Sequence, residues 1–223
     1  GLEVSLNADW IKRRTFNWNT GFIFSKNMSK ILKVYNVNVP VNPKSYHYAV
    51  GNRTSYLEGY AVGGIFNYRY AGVDNTGKVL IYDKDGKTKN FDVDDQGLAD
   101  VDYVGSSIPA YNIGLSNRVD VGDFYAFAMI NYFGGFSTKI PLLDPAATRP
   151  LKGANNYWRK PGDESIPDVM PALNSGYASY LSATNRFIVD GTYFTLGDLT
   201  VAYSFRKANF VKKAKLSNFE LRA

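Results

Sequence analysis

Cysteine is absent from the 223 residues, and histidine occurs once, at His47. Without cysteine there is no disulfide framework, no thiolate metal site and no cysteine nucleophile. One histidine cannot build a multi-histidine metal site, and a triad around it needs a serine and an acid held nearby. His47 sits in a polar stretch and is read as a loop residue. Long apolar runs are missing too. The longest, Phe124 to Ile130, falls well short of the ~18–20 residues of a membrane helix. The opening residues Gly1-Leu2-Glu3-Val4 lack a basic n-region and an apolar h-region, so they are read as strand rather than as an export signal. The formal charge is +6, yet the basic residues form no single long run. They gather at Lys12, Arg13 and Arg14, and again at Arg206, Lys207, Lys212, Lys213 and Lys215. Both clusters fall in short connections between strand-like runs. They are read as solvated turns, or as contacts to lipid headgroups or a partner at one rim, and not as a nucleic-acid surface.

Aromatic residues are plentiful at 15%, with 17 Tyr and 14 Phe, and they alternate with polar ones. Leu2, Val4, Leu6, Ala8 and Trp10 interleave with Glu3, Ser5, Asn7 and Asp9. After a basic turn at Ile11 to Thr15, Phe16, Trp18, Thr20, Phe22 and Phe24 alternate with Asn17, Asn19, Gly21, Ile23 and Ser25. Successive strand residues point to opposite faces, so each run has one apolar face. The pair predicts an antiparallel hairpin, and its strands suit a tilted membrane crossing. A second hairpin is expected over Tyr111 to Phe133, turning at Asp120-Val121-Gly122-Asp123, and a third from Tyr193 through Arg206 to Lys215 and on to Ala223. In the third, Leu199, Val201, Tyr203 and Phe205 share the apolar face. The return strand Phe124 to Phe133 is apolar on both faces, as a strand between lipid and an interior plug or loop would be.

Residues 26–107 and 134–190 connect these hairpins. The first connection carries strand-like islands at Val62 to Tyr70 and Val79 to Tyr82, with turn signals at Asn75-Thr76-Gly77 and Asp85-Gly86. A connection of such length implies structure of its own. Connections thus alternate short, long, short, long, short. Outer-membrane barrels have short periplasmic turns and long extracellular loops, whereas a sandwich spaces its turns more evenly. The expected fold is all-β: about six long strands of a transmembrane antiparallel barrel. Because the chain starts and stops within strand-like runs, it is read as part of a larger barrel.

Several stretches carry a family resemblance. Gly1-Leu2-Glu3-Val4-Ser5-Leu6 with Phe16-Asn17-Trp18 resembles the "G-x-E-x-x-L" strand and "F-x-W" return strand of the SusC/RagA family of TonB-linked outer-membrane proteins. Glu58-Gly59-Tyr60-Ala61-Val62-Gly63 and Tyr68-Arg69-Tyr70-Ala71-Gly72-Val73-Asp74 resemble that family's "EGYPIG…YKYAGID" segment, with Ala61 in place of proline. Tyr82-Asp83-Lys84-Asp85-Gly86, Gly105-Ser106-Ser107-Ile108-Pro109, Tyr157-Trp158-Arg159-Lys160-Pro161-Gly162-Asp163 and Asp190-Gly191-Thr192-Tyr193-Phe194-Thr195-Leu196 follow in family order. Each motif alone is weak, and the collinear set is strong. The resemblance implies residues 1–223 as the C-terminal barrel portion of a TonB-dependent receptor of about 22 strands, with the plug domain and TonB box outside this segment. It implies an outer-membrane location, a SusD-like surface lipoprotein as partner, the TonB complex engaged through the N-terminal part, and a glycan or peptide as cargo.

No convergent acid, base and nucleophile is visible, so an enzyme is not expected. Asp163 and Glu164 are adjacent loop carboxylates and a poor acid–base pair. Asp92, Asp94 and Asp95 are a candidate Ca²⁺ site. They lack the EF-hand spacing, and the plainer reading is a solvated acidic turn. Tyr60, Phe66, Tyr68, Tyr70, Trp158 and Arg159 are candidate contacts to substrate or lipoprotein, set against a structural role in bracing the loops. Two other functions stay open: an uncoupled porin-like barrel, and a soluble carbohydrate-binding β-domain.

Overall fold

The computed structural model describes residues 1–33, 58–91, 100–143, 148–149, 152–173, 181–206 and 208–223. Its elements in chain order are β1 (Leu2–Lys12), β2 (Phe16–Lys26), β3 (Gly64–Val73), β4 (Val79–Tyr82), β5 (Thr88–Asn90), β6 (Val101–Ser106), β7 (Tyr111–Val121) and β8 (Phe124–Gly134). There follow β9 (Ser137–Lys139), β10 (Ile188–Asp190), β11 (Tyr193–Ser204), helix α1 (Asn209–Lys213) and β12 (Glu220–Arg222). Two compact units result. One comprises Gly1–Met28, Pro109–Gly135 and Thr192–Ala223, the other Ser29–Ile108 and Phe136–Gly191.

The first unit is an antiparallel sheet in the order β1-β2-β7-β8-β11-β12. The three expected hairpins are its building blocks. Five of its strands are 11 or 12 residues long, while β12 has three. Short connections join strands at one end of the sheet. At that end Gly122 N–H donates to Thr15 O at 2.8 Å, and Ser204 N–H donates to Asp123 O at 2.8 Å. At the other end Asn27 N–H donates to Ala110 O, and Ala110 N–H to Gly134 O, at 2.9 and 3.0 Å. From this end the chain departs into both long connections. The third connection differs from a plain basic turn, because it contains α1. That helix stops in a Schellman arrangement: Leu216 N–H donates to Val211 O at 3.0 Å and Lys215 N–H to Lys212 O at 3.1 Å. Lys215 takes the left-handed position, φ 56°, where glycine is usual.

Two bulges set the phase of this sheet. In β11, Leu196 pairs with Ile130 and Asp198 with Met129, so Gly197 is the extra residue. Leu196 and Leu199 lie an odd number of residues apart and would otherwise face opposite ways. The bulge puts both on one face. In β1 the register shifts between Asp9 and Ile11, which brings Ile11 opposite Trp18.

The second unit holds the four-stranded sheet β5-β4-β3-β6 and the pair β9-β10. The islands expected at Val62 to Tyr70 and Val79 to Tyr82 correspond to β3 and β4. Its core is Tyr68, Val79, Ile81, Phe91, Met170, Leu181, Ala183 and Phe187. Tyr68 to Phe91 come from the first long connection and Met170 to Phe187 from the second, so both fold into one body. Tyr68 N–H donates to Ala183 O at 2.9 Å, which seals the junction between them. Two equivalent turns follow β3 and β4. In each an aspartate, Asp74 or Asp83, accepts backbone N–H bonds from the residues two and four further on, between 2.8 and 2.9 Å. Gly77 and Gly86 occupy the same place in these turns, both at φ 78°.

Candidate functional site

Paired residues in an antiparallel sheet point the same way, so the register defines two faces. One face of the first unit is an apolar field. Leu6, Phe22, Leu115, Ile130 and Leu196 form one row across β1, β2, β7, β8 and β11. Val4, Phe24, Ile113, Tyr132 and Phe194 form the next row. Val121, Phe124, Tyr203 and Leu221 carry the field towards the short turns. Most of these side chains are exposed, with Leu196 at 62%, Leu199 at 63% and Phe194 at 70%, while Phe22, Phe24, Ile113 and Tyr132 are half-buried. A groove of about 460 Å³ between the first two rows is lined by Phe22, Ile113, Leu115, Ile130, Tyr132 and Phe194. A soluble monomer rarely exposes a contiguous apolar patch beyond about 300–600 Å². A field of several rows over five strands is what a bilayer demands.

Even the polar residues of this face satisfy one another. Trp10 Nε1–H donates to Thr20 Oγ1 at 2.9 Å, the Thr20 hydroxyl donates to Asn117 Oδ1 at 2.6 Å, and Trp18 Nε1–H donates to the same oxygen at 3.2 Å. In hydrocarbon an unpaired donor costs several kcal/mol, and this chain leaves Thr20 and the two indoles paired.

The opposite face is mainly polar, with Ile23 and, on β8, Phe127, Met129 and Phe133 as its apolar members. Asn19 Nδ2–H donates to Asn7 Oδ1 and Asp9 Oδ1 at 2.7 and 2.8 Å. Arg118 makes a two-pronged contact to Asp120 and lies over the Tyr125 ring, 4.0 Å from its centroid. A hollow of about 220 Å³ opens where Gly21, Gly114 and Ser116 replace larger side chains. The alternation read from the residues therefore resolves into one lipid-like face and one hydrated face.

The candidate contact residues lie in the second unit, and the structure divides them. Tyr68 is fully buried in the core, packed on Phe91 with ring centroids 5.0 Å apart. It braces the unit from inside and presents no surface to a substrate. Phe66 is nearly buried. With Tyr60 and Tyr103 it makes a three-ring corner, with centroids 4.9–5.3 Å apart. Tyr60 and Tyr103 are each 41% exposed, so they are the accessible part of that corner. No local sequence pattern marks Tyr103; its pairing opposite Phe66 between β6 and β3 brings it into the corner.

Tyr70 stands under the Arg186 guanidinium, 5.2 Å from its ring centroid. Arg186 in turn pairs with Asp168 at 3.1 Å. Burial pushes the Tyr70 phenol above its usual range, against the opposing pull of Arg186. Trp158 donates through Nε1–H to Glu164 Oε2 at 3.2 Å, and its ring covers Gly77. A Cβ built on Gly77 would come within 2.5 Å of that ring, whereas one on Gly86 meets nothing within 4 Å. Glycine is thus required at position 77 by both backbone and close approach. Glu164 is held below the ordinary carboxylate range, first by its own backbone N–H, then by Gly162 N–H and the Trp158 indole. Arg159 lies over Tyr157 at 4.3 Å, and its backbone N–H donates to Asp163 Oδ2. Asp163 and Glu164 therefore serve as turn acceptors.

Asp100 pairs with Lys89 at 2.6 Å. Its burial favours the neutral acid, but the Lys89 ammonium and the Lys84 N–H outweigh that and keep its carboxyl below the usual range. Among the described residues no three His, Cys, Asp or Glu side chains converge on a metal position. Asp92, Asp94, Asp95 and His47 lie outside the described residues. Among the described residues no helix is long and apolar enough to cross a membrane, which says nothing of crossing by strands.

No family model matches the chain. It is 26% identical over 239 residues to "TonB-dependent receptor P3" of Formosa agariphila, covering 99% of this chain and 23% of the receptor. It is 21% identical over 267 residues to "TonB-dependent receptor P39" of the same organism, covering all of this chain and 25% of that protein. The chain thus spans about a quarter of the length of these curated relatives. Its fold superposes on a chain of the RagAB peptide transporter with a TM-score of 0.69 at 18% identity, over 99% of this chain and 24% of that one. The RagAB peptide importer in its "closed-closed" state gives 0.67 at 18% identity, over 99% and 25%. These likenesses run end to end, as the collinear motifs do: the chain is similar in sequence to a stretch of curated TonB-dependent receptors and in fold to a stretch of a RagAB transporter chain.

Proposed function

We propose that the chain is part of the lipid-embedded wall of an outer-membrane importer that takes up a peptide or glycan with energy from TonB. The carrying observation is the apolar field from Leu6 to Leu196, found in a chain that aligns over its whole length with TonB-dependent receptors. A soluble carbohydrate-binding domain gives no reason for Phe194 to be 70% exposed beside Leu196. In this reading the short turns face the periplasm and the long connections face the outside of the cell. The second unit, built from those long connections, offers a surface to cargo and to a SusD-like lipoprotein. Tyr60, Trp158 and Arg159 are its candidate contacts, since aromatic and arginine residues dominate protein interfaces.

The test is made on the full-length receptor. It is expected to co-purify with a surface lipoprotein, and deletion of residues 140–185 is expected to weaken that association while a heat-modifiable barrel remains. Uptake of labelled oligopeptides or oligosaccharides should fall to background in cells lacking either the receptor or TonB. Unchanged uptake without TonB would favour an uncoupled porin-like barrel. A deletion variant that folds and holds its lipoprotein at full strength would remove the second unit from the interface.

A further inference from the structure

The three short turns lie at one end of the strand sheet. They carry eight basic residues, Lys12, Arg13, Arg14, Arg206, Lys207, Lys212, Lys213 and Lys215, against two acidic ones, Asp120 and Asp123. Arg206 lies 3.8 Å from Asp123. Lys212, Lys213 and Lys215 are exposed, and no ion pair to a carboxylate engages them among the described residues.

The connection that holds α1 also carries an aromatic cluster. Phe205, Phe210 and Phe219 have centroids 5.6–5.9 Å apart, and Tyr203 reaches Phe205 at 4.7 Å. Tyr203 belongs to the apolar face, paired with Phe124 and Leu221. The cluster is therefore continuous with the lipid-like field and closes it at the turn. Phe210 and Leu216 remain about half exposed, at 51% and 52%, while Val211 of α1 is fully buried. One short connection thus presents apolar rings and ammonium groups side by side. Amphipathic residues do so at a membrane interface, with rings at headgroup level and charges among phosphates. Lys215 adds a second indication. It holds a left-handed conformation at φ 56° where glycine would be unstrained, so the charge is kept at a conformational cost.

We propose that the α1 turn is an interfacial anchor that binds the phosphates of anionic phospholipid headgroups through Lys212, Lys213 and Lys215, with Phe210 and Phe219 seated at the edge of the hydrocarbon. The inference rests on the lipid-embedded reading above. The full-length receptor is reconstituted in bilayers holding spin-labelled phosphatidylglycerol or phosphatidylcholine, and motionally restricted lipid is measured for each. The wild type is expected to prefer phosphatidylglycerol by about two- to fivefold at low salt. The triple variant Lys212→Gln, Lys213→Gln, Lys215→Gln should bring the preference to about one, as charge attraction is lost. Arginine at the same three positions should keep it. So should Lys78→Gln, Lys84→Gln, Lys87→Gln, which removes equal charge from the second unit. Should the glutamine variant fail to fold, raising salt on the wild type from about 0.05 to 0.5 M must abolish the preference.

A wild type without preference, a glutamine variant that retains it, or an arginine variant that loses it overturns the anchor. Stronger selection of lipid A over phosphatidylglycerol by the same lysines overturns the assignment to phospholipid. Restricted lipid of neither kind overturns the lipid-embedded reading itself, which separates that failure from a failure of the anchor alone.

Discussion

Replacing Leu199 by arginine in the full-length receptor lowers the stability of the refolded barrel by about 2–4 kcal/mol, whereas arginine at Thr200 costs less than about 1 kcal/mol. The two residues are chain neighbours on β11 with near-identical backbone surroundings. They differ in face. Leu199 pairs with Ala128 on the apolar side and is 63% exposed. Thr200 pairs with Phe127 on the hydrated side, where its hydroxyl donates to Asp198 Oδ1 at 2.6 Å. Arginine at position 199 must carry its charge into hydrocarbon or drag water after it. At position 200 the guanidinium finds Asp198 close by. Denaturant titration into detergent micelles reads the difference. Equal losses would mean that the apolar face meets something other than lipid.

Deleting Thr200 is expected to abolish the folded, heat-modifiable barrel, whereas deleting Gly197 is expected to leave it in place. The reasoning is one of phase. Gly197 is the extra residue between the Leu196–Ile130 and Asp198–Met129 pairs. Without it Asp198 follows Leu196 directly and still meets Met129, so residues 198–204 keep their partners and their faces. Thr200 is instead a paired residue, opposite Phe127. Its loss either turns over residues 201–204, which withdraws Val201 and Tyr203 from the lipid side, or draws the bulge out straight, which sends Asp198 to that side and withdraws Leu199. A Gly197 deletion that fails to fold, or a Thr200 deletion that folds as the parent does, would show that pairing with β8 does not set the phase.

The same bulge shows where the sequence stops being legible. Alternation in β1, β2 and β7 is plain because each apolar residue is two from the next, as in Tyr111, Ile113 and Leu115. On β11 and just beyond it, period two puts only Leu199, Val201, Tyr203 and Phe205 on one face. Phe194 and Leu196 belong with them through a register shift that only pairing with β8 reveals. Helix α1 was hidden for another reason. Arg206 to Lys215 reads as a charged turn, since five helical residues are too few to give a periodic signal. The aromatics of the long connections could not be sorted into core and surface. Phe66, Tyr68 and Tyr70 share the period of a strand, yet Tyr68 is fully buried and Tyr70 is not. The difference comes from Met170 and Leu181, about a hundred residues away in the chain, which local pattern does not link to β3.

The central claim is that one face of the strand sheet meets lipid, with its phase fixed by the bulge at Gly197. The chain contains no cysteine, so single cysteines can be placed at successive positions of β11 from Tyr193 to Ser204 and spin-labelled in the reconstituted receptor. Collision with oxygen, which concentrates in hydrocarbon, is then compared with collision with a water-soluble nickel chelate. The account predicts oxygen maxima at 194, 196, 199, 201 and 203, with the regular two-residue step broken once, across Gly197. Maxima that continue to 198 and 200, or equal accessibility along the whole strand, would contradict it.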